Sequence, residues 1–351
     1  MYILFAILAF GILIFVHELG HFIAAKSLGV KVNEFAICMG PAIFQKTVGE
    51  TTYSLRSIPI GGYCAMEGED EASDSPRAFT SAKWWKRLII LAAGAFMNFV
   101  IGFLIVLLLF STADGFSTTQ VSKFLPDSPM EVHGMQEGDY FYSIDGSRVY
   151  TLTDIQLYLS RNATGKCDLV VLRDGEKVEM PDFTLEKKEY ETEKGKELLY
   201  GFTVGYEEAT ASSVLRNSWY ACMDFCRMVW MGLEDLITGR AGLNEVGGPV
   251  AIVNTMSETG KAAKTTAEGI RDVLYLTAFI AVNLAVMNML PIPALDGGRI
   301  FFLLVTAAIE GIFRKKIDPK YEGYIHGAGM VLLLLFMAFI TFHDVWKLIF
   351  R

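Results

Sequence analysis

The sequence predicts a polytopic α-helical membrane protein of about four transmembrane helices, interrupted by an inserted soluble α+β domain. Two observations predict it: 52% of the 351 residues are hydrophobic with a mean hydropathy of +0.36, and the apolar residues gather into runs long enough to cross a bilayer. A third is charge. Residues 113–270 carry 25 acidic and 15 basic side chains against −8 for the whole chain, so an acidic insert divides an apolar frame of about +2. No basic field marks a nucleic-acid partner, and none is expected.

Residues 2–25 form the first run, at 1.5 Å per residue enough for a hydrocarbon layer of about 30 Å. The run lacks the basic start and small-residue cleavage site of a signal peptide, and it continues through His17-Glu18-Leu19-Gly20-His21. Further spans are expected at 88–110, 273–290 and 328–349. Lys83, Lys86 and Arg87 precede the second, Arg299 follows the third, and Arg314, Lys315, Lys316 and Lys320 precede the fourth. With basic flanks cytoplasmic, the amino terminus and residues 113–270 lie outside, and residues 26–87 and 291–327 inside. Residues 214–237 are not expected to cross: Arg216, Asp224, Arg227 and Glu234 fall on one stripe of a helix, the pattern of an interfacial helix. The expected organisation is therefore 1–112 with the first two spans, 113–208 as the insert, 209–270 as interfacial helix and linker, and 271–351 with the last two spans.

The insert has soluble-domain grammar. Turns are expected at Asp145-Gly146 and Asp174-Gly175, a strand at 169–173 and a helix near 154–161. Its Ser128-Pro129, Gly134-Met135-Gln136-Glu137-Gly138-Asp139 and Ile144-Asp145-Gly146 resemble a PDZ domain of the bacterial protease type. That resemblance implies strand-addition binding of peptides or chain ends. Five scattered cysteines without a C-x-x-C pair indicate neither a disulfide framework nor a cysteine metal site.

His17 and His21, four residues apart, share one helical face about 5–6 Å apart at Cβ, which suits two ligands of a tetrahedral Zn²⁺. Glu18 is turned aside, placed to deprotonate a water without ligating. Ionisable groups inside an apolar run are costly unless they pair or serve a function. A third ligand should come from another segment at the same depth, and His133, His326, His343 and Asp296 are the candidates. Asp296 shares the cytoplasmic side with His17 and His21 provided that residues 214–237 do not cross. Around it, Pro291, Pro293, Gly297 and Gly298 break the helix, a backbone tolerated at membrane depth only where it lines a protein cavity.

These residues resemble the site-2 protease family of intramembrane zinc metalloproteases, in its bacterial branch that cleaves anti-sigma factors. The resemblance rests on His-Glu-Leu-Gly-His from His17, on N-x-x-P-x-P-x-L-D-G complete from Asn288 to Gly297, on Asn98-Phe99, and on Ile58-Pro59-Ile60-Gly61-Gly62-Tyr63. Gly248-Pro249-Val250 and Val282-Asn283-Leu284 match as well, so it covers essentially the whole chain. It implies Zn²⁺ held by His17, His21 and Asp296, with Glu18 as general base. It further implies Asn98 and Asn288 as polar contacts for the substrate, and a membrane-dipping β-hairpin whose Gly61, Gly62 and Tyr63 accept the substrate as an added strand. The implied setting is the bacterial cytoplasmic (inner) membrane, the PDZ-like domain extracytoplasmic. The implied partners are the lipid bilayer, single-pass transmembrane substrates such as anti-sigma factors or remnant signal peptides, and a site-1-type protease that trims them first. Cys38-Met39-Gly40-Pro41 departs from the family's usual Gly-Phe-Gly-Pro, and a single PDZ-like unit fits where some relatives carry two.

Overall fold

The computed structural model describes residues 1–69, 73–192, 195–242, 247–313 and 320–349. Helix α1 (Tyr2–Ser27) leads into two long strands, β1 (Val32–Val48) and β2 (Thr51–Met66), and then α2 (Trp84–Phe110). The insert follows: β3 (Gly115–Phe124), α3 (Pro129–Val132), β4 (Tyr140–Ile144), β5 (Ser147–Arg148), α4 (Leu152–Arg161), β6 (Lys166–Arg173), β7 (Glu176–Thr184), β8 (Lys188–Thr192), β9 (Gly195–Leu199) and β10 (Phe202–Glu208). Helices α5 (Ala211–Thr238), α6 (Pro249–Ala262), α7 (Thr266–Asn288), α8 (Asp296–Phe313) and α9 (Lys320–Ile349) complete the chain. Four stretches, Tyr2–Ser27, Trp84–Phe110, Thr266–Asn288 and Gly323–Lys347, are long and apolar enough to cross a membrane. The protein is a multi-pass membrane protein with a β-rich insert. Residues 296–313, expected only as part of an inside segment, form α8. Its Phe301, Leu304, Val305 and Ile312 are exposed.

Two compact units are distinguished, 1–106 with 225–351, and 107–224, so their boundaries fall inside α2 and α5. In the first unit apolar helices meet through small residues. Without a hydrophobic drive between helices in lipid, close backbone approach supplies the contact energy. A Cβ on Gly20 of α1 would meet Met97 at 2.8 Å, and one on Gly102 of α2 would meet Val282 of α7 at 2.8 Å. Ala6, Ala9 and Leu13 of α1 pack with Met256 of α6 and Val273, Ile280 and Ala281 of α7. The other end of α1 shares a core with the β1–β2 sheet, α2 and α8, through Ala25, Phe35, Cys64, Ile90, Leu91, Ile300 and Leu303.

The β1–β2 sheet is folded back on itself. Glu34 opposes both Ala65 and Thr52, Phe35 both Cys64 and Tyr53, and Ile37 both Gly62 and Leu55. The first half of β1 is therefore central, flanked by residues 62–66 on one side and 51–55 on the other. Residues 42–48 pair in turn with 51–56. Left-handed backbone at Cys38 (φ 68) and Gly40 (φ 84) lets β1 bend between its two uses. Glu34 ties the halves together, accepting from Ser54, from Arg56 at 2.7 Å and from the Tyr63 hydroxyl at 2.7 Å. Residues 61–66 are thus one limb of a β1–β2 ribbon. Their outer edge pairs with no strand among the described residues.

In the second unit the sheet order is β10-β3-β4-β6-β7, with β5 on β4, and β8 and β9 form a separate hairpin. Its core holds Val121, Met130, Phe141, Ile144, Ile155, Leu169 and Val171. The two expected turns carry the left-handed conformations that Asp-Gly supplies: Asp145 (φ 47) with Gly146 (φ 75), and Asp174 (φ 51) with Gly175 (φ 87). Thr151 and Asp154 close a capping box at the start of α4.

Candidate metal centre

One helical turn brings the imidazoles of His17 and His21 together, their Nε2 atoms 3.2 Å apart. Asp296 arrives from the start of α8, its Oδ2 lying 3.2 Å from His17 Nε2 and 3.4 Å from His21 Nε2. Three devices hold Asp296 there. Ala294 adopts φ 82 in the turn after Pro293, and His326 Nδ1 accepts from its backbone N–H at 3.3 Å. Gly297 and Gly298 lie against the carbonyls of Leu290 and Ile292, where no Cβ fits. Arg299, one turn into α8, pairs with Glu69 in the segment after β2.

The donor set fits a zinc ion. Bonds of about 2.0–2.1 Å in a tetrahedron place ligand atoms about 3.3 Å apart, close to the separations of this triangle. Asp296 Oδ2 is buried and meets no donor in good hydrogen-bond alignment, its near neighbours being the two imidazole nitrogens, a costly state for a carboxylate oxygen that a cation relieves. Among the described residues this is the group of His, Cys, Asp and Glu able to hold a metal. The remaining expected candidates lie elsewhere. His133 is exposed in the second unit, with its ring on Phe183, His343 stacks on Phe339, and His326 braces the turn.

Glu18 sits beside the triangle. The Cys64 backbone N–H is turned toward its carboxylate, so residues 61–66 run alongside the prospective base. A Cβ on Gly62 would lie 3.7 Å from Glu18 Cγ. Gly61 has φ 82, whereas the Tyr63 hydroxyl is committed to Glu34. Asn98 and Asn288 approach the metal-distal side of His17, their Nδ2 atoms 3.4 and 3.5 Å from His17 Nδ1.

Three contributors escaped the sequence reading. The Ile90 carbonyl accepts from His21 Nδ1 at 2.8 Å, the Cys64 N–H meets Glu18, and Gly94 leaves room for both imidazoles. The first two are backbone groups with no side-chain signature. Gly94 had a signal: Ile90, Gly94 and Asn98 recur every four residues on one face of α2, the face turned to α1.

Comparison with known proteins identifies the family. The model of peptidase family M50 matches residues 5–336. The chain is 37% identical to a Clostridium perfringens protein named "Putative zinc metalloprotease CPE1693", with 98% of each chain covered. It is 28% identical to "Regulator of sigma-W protease RasP" of Bacillus subtilis, with 97% of each covered. To "Zinc metalloprotease RasP" of Bacillus licheniformis it is 27% identical, over 97% of this chain and 98% of the relative. The chain belongs to peptidase family M50, the site-2 protease family, and is a membrane-embedded zinc metalloprotease.

Proposed function

We propose that the protein cleaves transmembrane segments of single-pass membrane proteins within the bilayer, with zinc on His17, His21 and Asp296 and with Glu18 as general base. The observation that carries this reading is the convergence of three ligand atoms and a carboxylate at one end of α1, a helix long and apolar enough to span a membrane. Zinc bound there supplies a Lewis acid that lowers the pKa of water to about 7. Glu18 takes the proton as the water oxygen bonds to the scissile carbonyl carbon, and returns it to the amide nitrogen as the C–N bond breaks.

A helical substrate hides its amides in its own hydrogen bonds, so the scissile segment must be drawn out and paired elsewhere. Residues 61–66 supply the pairing edge. In an antiparallel ladder successive residues point their N–H and C=O groups to opposite sides. Because Cys64 N–H faces Glu18, the peptide groups of Gly62 also face outward, toward an added strand that would lie across the metal triangle. Asn288, half-buried where α7 ends, is the polar side chain best placed to meet the substrate backbone or a developing oxyanion.

In this reading the protein sits in the bacterial cytoplasmic membrane with its site toward the cytoplasm, α5 lying along the interface. The insert is an extracytoplasmic PDZ-like domain that excludes substrates with large ectodomains until a site-1-type protease trims them. Pre-trimmed anti-sigma factors and remnant signal peptides are the substrate classes, the first supported by the name of the Bacillus subtilis relative, "Regulator of sigma-W protease RasP". The test is reconstitution of the purified chain in vesicles with a model single-pass substrate, beside Glu18→Gln. Wild type is expected to hold one zinc and cut within the span, and the variant to hold zinc and not cut. Cleavage by Glu18→Gln at the wild-type rate, or a wild type without stoichiometric zinc, overturns the reading.

A further inference from the structure

The two imidazoles meet different partners on the sides turned away from Asp296. An imidazole that gives Nε2 to a metal carries its proton on Nδ1, and that N–H needs an acceptor. His21 has one in the Ile90 carbonyl, a backbone group that no substitution removes. His17 Nδ1 faces the side-chain nitrogens of Asn98 and Asn288 instead, so with Nε2 on zinc three donors would converge on one point.

An asparagine amide rotated by 180° about its terminal bond exchanges oxygen for nitrogen with almost no change of shape. For Asn98 the rotation gives up no bond of its oxygen, because Oδ1 is buried without a partner. The residue is 1% exposed, so bulk water does not reach it. Asn288 is half-buried at the last residue of α7, next to the exposed Met289, so it is the more accessible of the two.

We infer that Asn98 is a positioning residue whose carboxamide oxygen accepts a hydrogen bond from His17 Nδ1–H, locking the tautomer that presents Nε2 to the metal and leaving Asn288 for substrate. The inference rests on the proposed ligand set. It divides two asparagines that the sequence treats alike: one acts through His17 from inside the α1–α2 contact, and the other faces the reacting chain. Asn98 does for His17 what the Ile90 carbonyl does for His21, and both come from one face of α2.

Zinc affinity, measured by competition with a chromophoric chelator, tests the inference without reference to turnover. Asn98→Asp keeps the shape and can only accept, whereas Asn98→Leu keeps the approximate shape and can do neither. The aspartate variant should bind zinc within about threefold of wild type and the leucine variant about 10–100-fold more weakly, the usual cost of losing such a partner. Asn288→Ala should leave zinc affinity near that of wild type and raise KM. Wild-type affinity in Asn98→Leu overturns the inference, and so does an aspartate variant as weak as the leucine one. Should the variants fail to fold, nitrogen-15 spectra of the histidine-labelled wild-type holoenzyme decide, because an unprotonated His17 Nδ1 overturns it equally. A wild type that holds no zinc overturns the ligand set itself, an outcome distinct from zinc binding that ignores Asn98.

Discussion

Gly94 of α2 faces the imidazoles of α1 so closely that a Cβ there would fall 2.7 Å from His17 Cε1 and closer still to the His21 ring. The absent side chain is what lets α2 close over the site. Alanine is the better helix former by about 1 kcal/mol, so helix propensity predicts a more stable α2 in Gly94→Ala. Packing predicts the reverse for the site: one or both rings must move. The expected outcome is a folded variant with zinc affinity reduced about tenfold or more, as for other losses of ligand orientation. Metal content after dialysis against a graded chelator series checks it.

Gly62 separates substrate pairing from metal binding when the effect of an added Cβ is subtracted. In the proposed pairing its N–H points away from β1, and proline is tolerated on a strand edge where no ladder bond is lost. A Cβ at this position would meet the Ala36 carbonyl oxygen at 2.9 Å and lie 3.7 Å from Glu18 Cγ, so Gly62→Ala, which adds that atom and keeps the N–H, is the control. Gly62→Pro should bind zinc as Gly62→Ala does while its kcat/KM falls about tenfold below that of Gly62→Ala, the worth of one backbone hydrogen bond of roughly 1–1.5 kcal/mol. Equal turnover with the model substrate would exclude strand addition at this edge.

The proposed size-exclusion role of the insert is tested by removing residues 115–205. The shortened protein should cut substrates that still carry their ectodomain, which the full chain leaves intact. A continued requirement for trimming would assign the restriction elsewhere.

Asp224 gives the second unit a pH dependence. It lies 4% exposed on α5, accepting from Thr151 Oγ1 at 2.7 Å beside the Tyr150–Tyr220 ring pair. Burial lifts its carboxyl to about 6, against which the Thr151 bond works. A raised carboxyl binds its proton more tightly in the folded state. The stability it contributes is full below about pH 4, the ordinary aspartate range, and is lost as pH rises through about 6. Hydrogen exchange of the α4 and first-half α5 amides in the full chain should quicken from pH 4 to 6, after correction for intrinsic rates, and Asp224→Asn should flatten the trend.

The sequence by itself determined the apolar runs, the paired histidines with their glutamate, the Asp-Gly turns and the complete N-x-x-P-x-P-x-L-D-G signature. All of these are written in local periodicity and residue type, which survive without knowledge of neighbours. It placed Asp296 with the histidines through a topology argument and a family resemblance, and its residues alone left His326 among the ligand candidates although that ring braces the turn behind Asp296. Tertiary structure decided what depends on chain segments far apart in number. It set the triangle closed by a residue 275 positions beyond His21 and the doubled use of β1 that leaves residues 61–66 as an edge beside Glu18. It also set the backbone carbonyl of Ile90 and the missing Cβ of Gly94. A peptide group and a glycine carry no side chain for a sequence to display, so their roles exist only where packing brings an imidazole against them.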